Sequence, residues 1–158
     1  FPNWEGSKFD VPTRNSTVTT IAPTGTISMI ADTSGGIEPN FALVYVKRVM
    51  DDDRLLYMNR HFEDAAKAGG WFSRDLMEKI AAGAHLAKLA EVPDDAKRIF
   101  VPAHDITPEW HVRMQAAFQE FCENAVSKTI NFPNSATVDD VKRAYMLAWR
   151  LKCKGITS

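Results

Sequence analysis

Runs of β-branched and other apolar residues predict three strands and the beginning of a fourth. The first run spans residues 17–22, the second residues 41–50 and the third residues 126–132. The chain then ends on Ile-Thr-Ser after Gly155, which indicates a further strand. β-Branched and aromatic side chains are enriched in strands because they pack well on a pleated, half-buried surface.

Apolar residues recurring at intervals of three and four predict helices between these strands. A short helix is expected over residues 27–32, closed by Gly35 and Gly36. The other apolar rows are Leu55, Met58, Phe62 and Ala65; Leu76, Met77, Ile80 and Ala84; Trp110, Met114, Ala117, Phe118, Phe121 and Ala125; and Val138, Val141, Tyr145, Ala148 and Leu151. Because such rows usually face a core, we expect Trp110 and Trp149 to be buried.

Polar residues mark the beginnings of three of these helices. Ser73 can cap the second row, and Thr107 precedes Pro108 at the start of the third. Thr137 and Asp140 stand at the spacing of a capping box before the fourth. Strands and helices therefore alternate along the chain, which predicts an α/β architecture in which helices cover the strands.

Length and charge narrow the class of protein. A chain of 158 residues suits one compact domain or part of a larger one. Its 19 Lys and Arg residues against 20 Asp and Glu give no sign of a nucleic-acid partner. No apolar run approaches the length of about 20 residues that spans a bilayer, so no membrane partner is expected. Because the chain begins with Phe1 rather than Met, we expect an excerpt of a longer polypeptide.

The residues that usually bind metals or carry nucleophilic catalysis form no recognisable spacing here. Cys122 and Cys153 are too far apart in sequence for a redox or zinc motif, so we expect two reduced, buried thiols. Surface or capping roles are expected for the four histidines, which are His61, His85, His104 and His111. We therefore predict neither a catalytic residue nor a metal ligand in this chain.

The segment most able to carry function is Ala-Pro-Thr-Gly-Thr-Ile-Ser at residues 22–28, between a predicted strand and a predicted helix. The first amides of a helix have no internal acceptor, and the helix dipole makes that end positive, so it binds anions. Gly25 would let a phosphate approach the backbone, and Thr24, Thr26 and Ser28 add hydroxyl donors. The Gly-Lys-Ser/Thr sequence of ATP-binding P-loops is missing.

Two simpler interpretations remain open at this point. The Pro-Thr-Gly-Thr sequence is equally compatible with an ordinary connector whose threonine caps the helix. Residues 34–39 are also compatible with a helix stop followed by a turn into the next strand. A purely structural helical domain that binds nothing at this turn is therefore one hypothesis, and a stand-alone phosphate-binding or nucleotide-binding module is another.

Several stretches, in order along the chain, resemble ribonucleotide reductase large subunits. Residues 14–28 resemble the phosphate-binding stretch of that family, and Gly-Ile-Glu-Pro at residues 36–39 resembles its next signature. The stretches most similar to the adenosylcobalamin-dependent, or class II, branch are residues 103–111, 114–119, 124–131 and 154–158. The resemblance covers essentially the whole chain, and the joint occurrence of these motifs is far more specific than the Thr-Gly-Thr loop alone.

The resemblance implies a fold and a reaction. The family builds a ten-stranded α/β barrel around a finger loop, and residues 1–158 would be the C-terminal part of that catalytic barrel, a single incomplete domain with the late strands and helices. The reaction is radical reduction of the 2′-carbon of a ribonucleotide, which supplies deoxyribonucleotides. A finger-loop cysteine, a redox cysteine pair, an Asn and a Glu carry this chemistry, and all of them lie upstream of the present stretch.

The resemblance also implies the roles of residues and partners. Phosphate binding carries over to Pro23, Thr24, Gly25, Thr26 and Ile27, with Ser28 as a further candidate. The implied cofactor of the full enzyme is adenosylcobalamin, and the implied partners are a ribonucleotide, the rest of the reductase chain and a second copy in a cytoplasmic homodimer. The isolated chain is expected to be inactive. The alternative within the family is a class I, metal-dependent large subunit.

Overall fold

A computed structural model of the chain describes residues 10–11, 14–48 and 54–158. The described chain divides into two compact units, one made of residues up to 37 together with 107–158 and the other of residues 38–106. The elements are α1 (Gly25–Ile30), β1 (Val44–Arg48), β2 (Arg54–Met58), α2 (Arg60–Ala68), α3 (Arg74–Ala81), α4 (Asp94–Ile99), α5 (Pro108–Gln119) and α6 (Val138–Arg150). Short 3-10 turns occur at Leu86–Lys88 and Ala103–Asp105.

Three extended segments lie side by side in the first unit. Ile21 forms an isolated parallel bridge with Val126, and Thr129 forms another with Thr157. The segment that contains Val126 and Thr129 lies between the other two. Its Ser127 N donates to Ile21 O at 2.8 Å, and its Ile130 N donates to Thr157 O at 2.9 Å. The prediction of three regular strands in this unit is therefore wrong, because only isolated bridges form. Parallel pairing is nevertheless present at the predicted places, as an α/β architecture requires.

Helix α5 packs with a polar rather than an apolar face. Its buried residues are His111, Val112, Gln115 and Gln119. The predicted apolar row instead faces solvent, with exposed fractions of 65% for Trp110 and 80% for Phe121. The buried glutamines donate to backbone carbonyls of the extended segments, which explains why a polar row can be the inner face. The expectation that Trp110 lies in the core is therefore wrong.

Helix α6 begins as the sequence predicts. The Thr137 side chain accepts from Asp140 N, and the Asp140 carboxylate accepts from Thr137 N at 2.8 Å, which completes the capping box. Ala144 and Ala148 are buried and join Val112 and Ile130 in the core of this unit. Trp149, on the far side of the helix, is 73% exposed, so the prediction that it is buried is also wrong.

The second unit has its own core beneath a β-hairpin. Strands β1 and β2 pair antiparallel, with Tyr45 opposite Tyr57. Helices α2 and α3 begin at the side-chain caps Asn59 and Ser73, and the Ser73 cap was predicted. The buried cluster comprises Leu43, Val44, Phe62, Ala66, Leu76, Met77, Ile80, Leu86, Val92 and Ala96. This unit therefore buries a continuous apolar core of its own.

Two predictions in this unit need qualification. The strand predicted for residues 41–50 is confirmed as β1 over Val44–Arg48, while residues 49 and 50 lie outside the described part of the chain. The prediction of a helix at Leu55 and Met58 is wrong, because both residues belong to strand β2. The helix begins only at Arg60, after the Asn59 cap. Leu55, Met58, Phe62 and Ala65 fit a helical row by spacing, which shows that a short apolar run does not by itself distinguish the two structures.

Candidate phosphate-binding loop

The extended segment before the loop is fixed by side chains from the region after α5. The Glu123 carboxylate accepts hydrogen bonds from Val18 N and Thr19 N, and Glu123 N donates to Thr19 Oγ1 at 2.9 Å. Asn124 N donates to Thr19 O at 3.1 Å. These contacts join residues about a hundred positions apart in sequence, so tertiary structure holds the chain that enters the loop.

The loop turns sharply at Thr24. This residue adopts a left-handed conformation, with φ 52° and ψ 32°, and helix α1 begins at the next residue, Gly25. The Thr24 carbonyl accepts from Ser28 N at 2.9 Å, which closes the first turn of the helix. A non-glycine residue with positive φ is uncommon and is usually held by its surroundings. The turn therefore depends on contacts that stabilise it.

The contact that stabilises the turn comes from Gly36. Its amide donates to Thr24 Oγ1 at 2.8 Å, and Gly36 itself has a left-handed φ of 51°. A Cβ atom at Gly35 would lie only 2.8 Å from the Pro23 carbonyl oxygen, so glycine is required for this close approach. Residues 34–36 are thus more than a helix stop, because they fold back against the loop.

The amides of Gly25, Thr26 and Ile27 open the helix and donate to no acceptor within the described part of the chain. They share the first helical turn, whose N–H groups project from the positive end of the helix dipole. A Cβ atom placed on Gly25 would meet nothing within 4 Å. Among the described residues, the space beside Gly25 is therefore open, and three backbone donors lie at this end of the helix.

The side chains of the loop differ in what they offer. Thr26 and Ile27 are exposed, as is Pro23, whereas Thr24 is half-buried. Ser28 is buried, and its hydroxyl donates to the Gly25 carbonyl at 2.9 Å. The Ser28 hydroxyl proton is thus engaged within the helix, and its role here is to support the turn.

The loop lies in a stretch with no basic residue, since none occurs between Arg14 and Lys47. Any anion held here would be bound by backbone amides and hydroxyl groups rather than by a positively charged side chain of this stretch. Such a site binds by geometry and dipoles, as helix N-termini do. It offers no general acid, base or nucleophile.

The histidines and cysteines lie elsewhere. His85 Nδ1 is 2.8 Å from Asp105 Oδ1, and His61 and His104 are exposed. His111 is buried with its Nδ1 2.7 Å from Lys128 Nζ, so the surface or capping role predicted for it is wrong. Sequence spacing gave no signal of this pair, because the two residues lie 17 positions apart on a helix and an extended segment.

Both cysteines are free and half-buried, rather than fully buried as predicted. Desolvation by partial burial raises the pKa of the Cys153 thiol, which favours its protonated form. Within the described ranges, no group of three or more His, Cys, Asp or Glu side chains is arranged to hold a metal ion. No helix among the described residues is long and apolar enough to cross a membrane.

The open clefts do not coincide with the loop. One of about 710 Å³ lies between the start of α5 and α6, and its lining includes Glu109, Asp139 and Arg150. Another of about 250 Å³, in the second unit, is lined in part by Phe41 and His85. Neither cleft is lined by residues 23–28, so neither of them contains the loop.

Comparison with known proteins gives consistent matches. Residues 3–158 match the family model described as the ribonucleotide reductase barrel domain. A vitamin B12-dependent ribonucleoside-diphosphate reductase of Thermoplasma acidophilum is 48% identical over 99% of this chain and 21% of its own length. One from Mycobacterium tuberculosis is 43% identical over 99% of this chain and 23% of its own length. The chain thus spans between a fifth and a quarter of the length of these relatives.

A solved structure shares the fold. The alpha subunit of a class Id ribonucleotide reductase from Actinobacillus ureae superposes with a TM-score of 0.78 over 98% of this chain and 27% of that one. The sequence identity is 22%, so this likeness concerns the fold alone.

Proposed function

Because the chain belongs to the ribonucleotide reductase family through its barrel domain, we propose that residues 23–27 hold the phosphates of a ribonucleotide. The observation that carries this proposal is the set of three amides at Gly25, Thr26 and Ile27, which border open space at a helix start. Ser28 contributes indirectly by holding the Gly25 carbonyl. The loop orients a substrate and supplies no reacting group, so its contribution to rate is positioning.

The whole protein in this proposal is a reductase that converts ribonucleotides to deoxyribonucleotides by radical chemistry. The class II branch is favoured over class I because the relatives at 43–48% identity are named vitamin B12-dependent. Adenosylcobalamin would supply the radical in the full enzyme. Among the described residues, no group of three or more His, Cys, Asp or Glu side chains could hold a metal ion, and no residue of this chain is proposed to contact the cofactor.

The architecture proposed for the full enzyme is the ten-stranded α/β barrel, to which residues 1–158 contribute late strands and helices as one incomplete domain. The parallel arrangement of the three extended segments supports this. We propose that the exposed apolar row on α5 packs against the rest of the reductase chain, because exposed apolar patches mark interaction surfaces. We further propose a cytoplasmic homodimer with no nucleic-acid or membrane partner.

Calorimetric titration tests the phosphate site. We expect the chain to bind a ribonucleoside diphosphate and inorganic pyrophosphate but not the corresponding ribonucleoside, since the donors face a phosphate and not a base. A chain that is folded by circular dichroism and binds none of the three would refute the site. That result would favour the purely structural interpretation of the turn.

A single methyl group provides a sharper test. Gly25→Ala adds a methyl that meets no described atom within 4 Å beyond the adjoining residues and the helix's own backbone, so it should preserve the fold while crowding a bound phosphate. Gly155→Ala adds the same methyl in the same unit, 3.8 Å from Ala125 Cβ, and is the matched control. We expect affinity for pyrophosphate to fall at least tenfold in the first variant and to stay within twofold in the second.

The activity assay separates the reductase from a stand-alone binding module. With ribonucleotide, adenosylcobalamin and a dithiol, the 158-residue chain should give no turnover, because the residues that carry the chemistry in this family lie outside it. Robust turnover by this chain would contradict the proposed division of labour.

A further inference from the structure

Two glutamines on the inner face of α5 hold the extended segments of the first unit in the same way. Gln119 Nε2 donates to the carbonyls of Cys122 and Asn124, at 3.0 and 2.8 Å. Its Oε1 accepts from Lys154 N at 3.2 Å. Every hydrogen-bonding atom of the Gln119 amide therefore has a protein partner.

The Gln115 amide lacks one of these partners. Its Nε2 donates to Val126 O at 3.0 Å and to Gly155 O at 2.8 Å, but its Oε1 is buried and accepts from no donor in the described parts of the chain. Gln115 is only 1% exposed, so bulk solvent does not reach it. Reversing the amide would place Oε1 against two carbonyl oxygens, which excludes a misassigned orientation as the explanation.

Buried acceptors of this kind are rarely left unpaired in folded proteins, and the usual partner where protein supplies none is an internal water. The surroundings favour water over an empty space. His111 lies one helical turn before Gln115 on the same buried face, and Lys128 Nζ is 2.7 Å from His111 Nδ1. Polar interiors hold water, whereas apolar cavities stay dry.

We propose that a structural water molecule is bound at Gln115 Oε1, beside the His111–Lys128 pair. It donates one O–H to Gln115 Oε1 and thereby fixes the amide with its NH2 group toward the Val126 and Gly155 carbonyls. Val126 bridges Ile21, two residues before Pro23, so the bound water helps to set the register of the segment that enters the loop. This inference does not depend on what the loop binds.

Nuclear magnetic resonance of the 158-residue chain tests the water in solution. Rotating-frame and laboratory-frame cross-peaks between water and the Gln115 side-chain amide should have the signs of a long-lived bound water. The Gln119 amide is the internal control and should show no such cross-peak, because its acceptor is already occupied by Lys154 N. Equal water cross-peaks at both amides would indicate exchange and would overturn the proposal.

A crystal structure of the chain at a resolution that shows ordered water gives the second measurement. We expect a water oxygen within about 3.2 Å of Gln115 Oε1. A protein donor at that position, or a dry site, would overturn the proposal. Gln119→Met should preserve the water cross-peak of the Gln115 amide. If this variant fails to fold, the two measurements on the parent chain still test the bound water.

Discussion

The Gly35→Ala substitution tests whether the fold of the loop depends on the close approach of residues 34–36. In the structure, a Cβ atom at Gly35 would lie 2.8 Å from the Pro23 carbonyl oxygen and 3.4 Å from Ser28 Oγ. The first distance is shorter than real Cβ contacts, and the atom in the way belongs to the backbone. The loop must therefore shift before an alanine fits.

The size of the effect follows from two opposing contributions. Forcing an extra methyl into a close-packed site costs about 1–3 kcal/mol. Replacing glycine by alanine also reduces the conformational entropy of the unfolded chain, which stabilises the folded state by about 0.4–1 kcal/mol. This gain applies here because the φ of Gly35 is not positive. We therefore expect a net loss of about 1–2 kcal/mol in the free energy of unfolding, or a fall of about 5–30-fold in the ratio of folded to unfolded chain.

Urea denaturation followed by circular dichroism measures this loss, and hydrogen exchange at Ser28 N, which donates to Thr24 O, reports on the loop itself. Gly25→Ala is the control, because its methyl enters open space at the start of a helix. That variant should be between unchanged and about 1 kcal/mol more stable.

Two results would refute this reasoning. The first is a Gly35→Ala chain that unfolds at the same urea concentration as the parent, with unchanged exchange at Ser28. The second is an equal destabilisation by Gly25→Ala, which would mean that the space before the first turn is not open.

Three further predictions concern helix capping, pH and the second core. Thr137→Ala removes the cap of α6 and should cost about 1 kcal/mol by urea denaturation, whereas Val138→Ala, at a position 85% exposed, should change stability by less than about 0.5 kcal/mol. Hydrogen bonds from the Thr137 backbone and hydroxyl, together with Arg143, hold the pKa of Asp140 below its usual value, so its stabilisation is present above the unfolded pKa and is lost as the pH falls through the folded pKa. Asp140→Asn should therefore flatten the decline of stability in acid, and an unchanged pH profile would contradict this. Phe62→Ala empties a fully buried site and should cost about 3–5 kcal/mol, while a loss below about 1 kcal/mol would mean that the core of this unit is not packed as described.

Several features could be predicted from the sequence because they depend on residues close together along the chain. The capping box of Thr137 and Asp140 and the Ser73 cap depend on residues within a few positions of one another. The short helix predicted over residues 27–32 is present, but it begins two residues earlier and spans Gly25–Ile30. The ordered motifs also indicated the family that the barrel-domain match confirms. Spacing failed where an apolar run was short, as at Leu55 and Met58, because a strand and a helix can present the same few side chains.

Contacts between residues far apart in the sequence could not be predicted from the sequence. Gly36 supports Thr24 across 12 positions, and Gln115 reaches the Gly155 carbonyl across 40. Nothing in the spacing of glycines or glutamines specifies these partners, because a hydrogen bond depends on where the backbone returns in space.

The amino-acid sequence by itself determined the family, the position of the loop proposed to bind phosphate and the starts of helices α3 and α6, because those properties reside in short motifs. Only the tertiary structure decided which face of α5 is buried. A helix presents whichever face finds partners, and here Gln115 and Gln119 on the polar side donate to backbone carbonyls of the extended segments, while His111 contacts the Lys128 side chain. The apolar row is left facing outward.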